Sequence, residues 1–358
     1  MPNQTSKAET SAVGQALKSE QSREEALIEF PTRDPVTTAL VFLCFHLVYV
    51  ILPLAFTLAP FVLLYSGNVF MGTAWIGFYV RWLVISMPSE KDLGRPWPWF
   101  ENLPLFSFLF GYFPFGLTRA KPMRHHKTDP AEHAKLDPKG LYVFGVHPHG
   151  ALAFNRGMFG FSTRTLWNKA FPGIDFRVLT ATAALRVPLI REMWLWSSCI
   201  DASKQVARKA LEKRVNLLLY PGGEREQMMT QRGKHRLFLK NRKGFVKLAI
   251  EAGAELVPVY VFGETDLFEH SSFLLDARVK IMKNFGVAIP LIYGQAGLLP
   301  FAASVTAVVG PALEVKQSDN PSNEEVDEVH TRYVAALVAL FEENKAAYGC
   351  SDAILEIE

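Results

Sequence analysis

Residues 141–150, Leu-Tyr-Val-Phe-Gly-Val-His-Pro-His-Gly, set an apolar run against an abrupt polar stop. Leu141–Val146 has the length and composition of a buried strand, and Pro148 and Gly150 end it in a tight turn. The pattern recurs downstream. Val178–Thr182, Val215–Tyr220, Glu255–Phe262 and Val305–Val309 read as further strands. Ser203–Lys213 and Leu239–Ala252 read as helices between them, with Phe245, Leu248, Ala249 and Ala252 on one helix face. Ser322 with Glu325 three residues on is a capping box, and Val326, Val329, Tyr333, Leu337, Leu340 and Phe341 form the apolar stripe of the helix it opens. Strands alternating with helices imply an α/β domain with a mixed, largely parallel sheet and flanking helices. Ligands of such sheets bind beyond the carboxyl ends of the strands. The turns at 147–150 and 221–226 both fall there.

The first turn reads as a site of acid–base chemistry, with a purely structural hydrogen bond the alternative for either His taken singly. Pro148 fixes the backbone between His147 and His149, and Gly150 permits close geometry. A neutral imidazole takes a proton from a hydroxyl and makes its oxygen nucleophilic. A metal pair is the competing reading of His-x-His. No third ligand stands at a familiar spacing, so no metal is expected. In the second turn, Gly222 and Gly223 let backbone N–H groups approach a phosphate or an oxyanion, and Arg225 or Glu226 is placed to meet a polar head. From Arg225 to Lys247 eight Lys and Arg side chains face only Glu224 and Glu226. Arg242 and Lys243 stand near the start of a predicted helix, where cations oppose the helix dipole and a bound anion relieves them. A solvated basic face explains the individual lysines equally well.

The chain has 358 residues, 49% of them hydrophobic, with 27 Phe and 7 Trp. Its net charge of +3 is too small to suggest nucleic acid as a partner. Cys44, Cys199 and Cys350 show neither a disulfide framework nor metal spacing, which suits a reducing, cytosol-facing compartment. Residues 1–35 read as a disordered polar tail. From Val36 to Val80 there is no Asp, Glu, Lys or Arg. One helix of that length would run to roughly 68 Å, twice the thickness of a bilayer core, so two spans fit better. The break is expected at Ser66-Gly67-Asn68. Residues 36–87 are therefore expected as an N-terminal transmembrane helical hairpin. Basic residues on both flanks place both ends in the cytosol. Residues 88–358 then form the catalytic domain. It begins with an interfacial segment, 88–127, rich in Pro, Trp and Phe and ending in the basic cluster Arg119, Lys121, Arg124, His125, His126 and Lys127. The uncharged run Asn284–Leu313 holds too many Gly and Pro residues for a third span and reads as core with loops, a candidate wall for acyl chains.

Together these motifs resemble the type-2 diacylglycerol acyltransferase family, which also includes monoacylglycerol and wax-alcohol acyltransferases. The resemblance runs from about residue 36 to 349. It rests on Tyr112-Phe-Pro114, on Tyr142 through Gly150, on Pro221-Gly222-Gly223 with Glu226, and on Arg242-Lys-Gly244-Phe245-Val-Lys-Leu-Ala249 continuing through Leu256 to Glu264. Val308-Val-Gly-Pro311 and the closing helix also agree, and Phe61 through Asn68 is similar to a neutral-lipid motif. The resemblance implies a glycerolipid acyltransferase-like fold, an acyl-CoA co-substrate, a diacylglycerol acceptor and no further cofactor. It also implies residence in the endoplasmic reticulum membrane, multi-pass, and on lipid droplets. It gives His147 and His149 the catalytic position. The chain departs from related glycerolipid acyltransferases in one respect. Their histidine is followed five positions later by Asp, whereas Leu152 and Phe154 stand there here.

The expectation is an acyl-CoA:diacylglycerol O-acyltransferase with His149 as base and His147 assisting. Pro148, Gly150, Gly222, Gly223, Glu226, Arg242, Gly244 and Phe245 would bind substrate. Monoacylglycerol or a long-chain alcohol is the alternative acceptor. A lipid-droplet hairpin protein without turnover and a metal hydrolase are the alternatives of other classes. Self-association into a homo-oligomer stays open.

Overall fold

A computed structural model describes residues 26–27, 34–113, 115–119, 136–161, 164–285 and 288–358. Most of the expected polar tail lies outside the described residues, as do Lys121, Arg124, His125, His126 and Lys127 of the basic cluster.

The main sheet has eight strands in the order Ala26–Leu27, Phe115–Arg119, Val305–Val309, Glu255–Phe262, Tyr142–His147, Asn216–Leu219, Phe176–Thr180 and Cys199–Asp201. The five strands from Glu255–Phe262 to Cys199–Asp201 are mutually parallel. Val305–Val309 joins them antiparallel and itself pairs parallel with Phe115–Arg119. The sheet is thus mixed and largely parallel, with helices packed on it.

Side-chain alternation along the strands divides the core into two layers. Tyr142, Phe144 and Val146 face one layer, with Phe110, Phe154, Trp167 and Phe176. Leu141 and Val143 face the other, with Leu217, Leu248, Tyr333 and Phe341. The closing helix, Asn323–Asn344, supplies Tyr333 and Phe341. It opens on the expected capping box, in which Ser322 Oγ accepts from Glu325 N and Glu325 Oε2 accepts from Ser322 N.

One local expectation needs correction, and two features go beyond the sequence reading. The helix expected over Leu239–Ala252 begins at Gly244. Residues ahead of it are held extended, because Arg236–Leu237 pairs with Glu356–Ile357 and Lys240 N donates to Glu358 O at 2.8 Å. Cys199–Asp201 was not foreseen as a strand, since three residues show no periodicity. The aromatic residues of 97–115 divide between surface and core. Trp97 and Trp99 are exposed, but Phe106, Phe110, Phe113 and Phe115 are core residues, and Phe115–Arg119 is a sheet strand.

At the N-terminus, Pro35–His46, a π-turn at Leu47–Ile51 and Leu52–Tyr65 form one continuous helical run. The chain turns at Ser66–Asn68, and helix Val69–Glu90 packs back, with Phe56 against Trp75 and Tyr79. Pro35–Tyr65 is long and apolar enough to cross a membrane, whereas Val69–Ile85 is shorter. The early part of the first helix lies on the domain. Val41 and Phe45 are buried there, and His46 Nε2 accepts from Leu298 N. Farther along, Leu54, Phe61, Val62, Phe70 and Phe78 are exposed. Trp82 Nε1 donates to Glu192 and ties the second helix to the domain.

Candidate active site

The His147-Pro148-His149-Gly150 turn stands at the carboxyl end of a central strand, as expected, and the His147–Pro148 bond is cis. Its two imidazoles are in different environments. His147 is fully buried, and its Nε2 is 3.0 Å from Tyr333 Oη. That hydroxyl donates its one proton to Gly145 O at 3.1 Å, so it accepts from His147 Nε2–H. Nδ1 is then unprotonated, and it is buried with no partner among the described residues. Burial pushes His147 down to about pKa 3, so it is neutral at physiological pH.

His149 lies on a cavity wall. Its Nδ1 is 2.9 Å from Gly150 O. A carbonyl only accepts, so Nδ1 carries the proton and Nε2 presents a lone pair. Burial lowers the His149 pKa below its ordinary value, and the Arg156 charge adds to this. The Gly150 carbonyl and Glu224 oppose them. The group that orients this imidazole is therefore a backbone carbonyl, not a carboxylate.

Two buried glutamates hold the turn from behind. Glu226 accepts from His149 N with one oxygen and from Phe238 N, at 3.0 Å, with the other. Glu264, just past the end of the adjacent strand, accepts from Phe154 N at 2.8 Å and Asn155 N at 2.9 Å. Burial pushes Glu226 up to about pKa 7 and Glu264 up to about 8, against the backbone donors that favour their charged forms. Gly150 has φ +65°, and a Cβ there would stand 2.5 Å from Glu264 Oε1, so the turn needs glycine for conformation and for space.

The cavity has a volume of about 750 Å³. Phe45, Tyr49 and Val50 of the N-terminal helix line it, as do Phe154, Trp194 and Leu298. Lys204, Arg242, Gly244, Phe245 and Leu248 also line it, with His149, Tyr220 and Pro221. Of the residues expected to act on substrate, His149, Gly223, Arg242, Gly244 and Phe245 line the cavity. His147, Pro148, Gly150, Gly222 and Glu226 do not. Gly222 O is 3.5 Å from Arg242 Nη2, which joins the second turn to the basic segment. Gly223 has φ +57° at the start of helix Gly223–Met229. Among the described residues, no group of three or more His, Cys, Asp or Glu gathers as a metal site.

Sequence reasoning missed four residues here: Arg156, Tyr220, Glu264 and Tyr333 in its polar role. Two carried a signal. Arg156 is the one charged residue between Gly150 and Phe161, and Tyr333 is the one hydroxyl on an otherwise apolar helix stripe.

The family model described as diacylglycerol acyltransferase matches residues 67–358. The chain is 33% identical to 2-acylglycerol O-acyltransferase 1 of Bos taurus over 288 residues, covering 76% of this chain and 81% of the relative. It is 32% identical to diacylglycerol O-acyltransferase 2 of Homo sapiens over 297 residues, covering 78% and 73%. It is also 32% identical to acyl-CoA wax alcohol acyltransferase 1 of Mus musculus over 287 residues, covering 76% and 84%. Among solved structures, the 1-acyl-sn-glycerophosphate acyltransferase of Thermotoga maritima matches with a TM-score of 0.38 and 12% identity, covering 86% of this chain and 97% of that one. On the family match and these relatives, the chain belongs to the diacylglycerol acyltransferase family.

Proposed function

We propose that the protein is an acyl-CoA:diacylglycerol O-acyltransferase, with His149 as the general base. The observation that carries this reading is the commitment of His149 Nδ1 to Gly150 O, which leaves a basic Nε2 on the wall of a largely apolar cavity. The acceptor hydroxyl gives its proton to Nε2, and its oxygen attacks the thioester carbonyl carbon. Collapse of the tetrahedral intermediate breaks the C–S bond. The departing thiolate takes the proton back from His149, so no proton is gained or lost.

His147 acts by position. With Tyr333 it fixes the strand end from which the turn projects, and Glu226 and Glu264 fix the turn itself. Phe45, Tyr49 and Val50 bring the apolar N-terminal helix to the cavity wall, which suits lateral delivery of a lipid acceptor. The two N-terminal helices are read as a membrane hairpin of the endoplasmic reticulum and lipid droplets, with the catalytic domain in the cytosol. Their exposed apolar side chains support that reading.

Lys204 and Arg242 are the cations placed to meet the phosphates of coenzyme A. In the double variant Lys204→Gln/Arg242→Gln, KM for acyl-CoA is expected to rise by roughly a hundredfold or more, with little change in kcat, since each of the two lost charge-assisted bonds costs about 1.5–3 kcal/mol of binding. Steady-state kinetics with acyl-CoA varied at fixed acceptor checks this. An unchanged KM places the phosphates elsewhere.

The lowered His149 pKa sets the acid limb of the activity profile. A base whose pKa is depressed stays unprotonated to lower pH, so the midpoint of kcat/KM is expected below about 6.5, the ordinary value for His. A midpoint above that value contradicts the assignment.

Monoacylglycerol and a long-chain alcohol remain the second reading, because relatives named for all three acceptors match almost equally well. Purified protein in liposomes, given one labelled acyl-CoA and equimolar diacylglycerol, monoacylglycerol and hexadecanol, decides among them. Triacylglycerol is the expected main product. A predominance of either other ester overturns the diacylglycerol assignment.

A further inference from the structure

We propose that the Arg156 guanidinium stabilises the tetrahedral oxyanion of acyl transfer, a role that rests on the reading of His149 as base. Arg156 is a cation built into the wall of a largely apolar cavity. Its guanidinium carbon sits 3.6 Å from the centre of the Trp194 ring, and Nη1 donates to Thr180 Oγ1 at 3.3 Å. Trp194 and Thr180 line the same cavity. A guanidinium has five N–H donors, so most of its capacity is unused by these contacts. Among the described residues, no carboxylate forms an ion pair with it. Arg156 is half-buried, so its charge is screened less than that of a fully exposed side chain.

Its place in the sheet suits the task. Thr180 ends one strand and His147 another, with the strand Asn216–Leu219 between them. Two sheet spacings separate the flanking strands by roughly 10 Å. Tyr220, just past the end of the middle strand, has its ring 5.3 Å from that of His149, and its hydroxyl donates to Asn155 Oδ1 at 2.6 Å, next to Arg156. A thioester carbonyl above Tyr220 would have the base on one side and the cation on the other. The Arg156 charge also helps to depress the proton affinity of His149, so the two groups share one electrostatic field.

Four backbone donors near the turns are already committed. His149 N donates to Glu226, Gly223 N donates to Tyr220 O at 3.2 Å, and Phe154 N and Asn155 N donate to Glu264. A guanidinium also brings a full charge to the oxyanion, where a backbone N–H brings only a dipole. As the acceptor oxygen bonds to the carbonyl carbon, the carbonyl π electrons move onto oxygen, and that oxygen faces Arg156. When the C–S bond breaks, the charge leaves with the thiolate, which takes the proton from His149.

The test compares Arg156→Gln and Arg156→Lys with wild type in the full chain, reconstituted in liposomes. Loss of one oxyanion donor costs about 100- to 1000-fold in kcat. The Gln variant is expected to show a loss of that order, with KM for both substrates within about twofold, and the Lys variant to recover part of it. A second readout is binding. An acyl-CoA trifluoromethyl ketone, whose carbonyl adds a water molecule that gives one proton to His149 and so becomes a tetrahedral oxyanion, is expected to lose affinity for the Gln variant. A non-reactive acyl-CoA thioether is expected to keep its affinity, which also shows the site is folded. Three results overturn the proposal: unchanged kcat, a loss confined to the acceptor KM, or equal loss of affinity for both analogues. Normal turnover by His149→Ala would instead sink the underlying assignment of the base.

Discussion

His149→Ala is expected to lower kcat by roughly a hundredfold to ten-thousandfold, the usual contribution of a positioned general base. The change removes Nε2 from the cavity wall and leaves the supports of the turn in place. The backbone N–H of residue 149 still meets Glu226, and Gly150 still faces Glu264. Loss of turnover with an unchanged melting temperature therefore reports chemistry and not folding. His147 is no substitute for it. Its Nε2–H is engaged by Tyr333, its Nδ1 is sealed from solvent, and it does not line the cavity. Measuring initial rates and thermal unfolding on the same preparation separates the two effects. Near-normal turnover would remove His149 from the mechanism.

Glu226→Ala should have the largest effect on stability. It strands two buried backbone donors, His149 N and Phe238 N, which share the carboxylate in the native fold. Each orphaned donor costs about 1–3 kcal/mol, so a loss of roughly 2–6 kcal/mol is expected in thermal or denaturant unfolding. Activity should fall with it, because the turn loses its anchor. The same glutamate makes stability depend on pH. Its folded pKa of about 7 is raised above the unfolded value near 4.5, so the folded state holds the proton more tightly. The stabilisation is complete below about pH 4.5 and is lost as pH rises through 7. Glu264 extends the decline towards pH 8. Glu226→Gln should flatten the lower part of that decline. A wild-type melting temperature that instead rises between pH 5 and about 8 contradicts the assigned shifts.

The strand and turn at Tyr142–Gly150 were legible because an apolar run, a proline and a glycine are local signals. The capping box at Ser322 was legible for the same reason, since both partners lie within four residues. What the sequence hid is long-range. Glu226 meets His149 across 77 positions, and Glu264 meets Phe154 across 110. No periodicity marks a carboxylate that bonds to distant backbone. Glu226 was therefore expected to bind a polar head, whereas its two oxygens accept from the backbone of His149 in the turn and of Phe238 outside it. The departure at Leu152 and Phe154 has a similar resolution. The absent Asp leaves His149 to be oriented by Gly150 O, a backbone atom that every sequence has. The start of the helix at Gly244 was missed because pairing with the C-terminal residues outweighs the helical pattern of 239–243.

The most direct test counts products. Purified protein in liposomes is given acyl-CoA and diacylglycerol, and free thiol and ester are measured together. Acyl transfer through His149 requires one ester for each thiol released, with both falling together in His149→Ala. Thiol release without ester would make the protein a hydrolase, and the absence of both would leave it a lipid-surface protein without turnover. Either result contradicts the account.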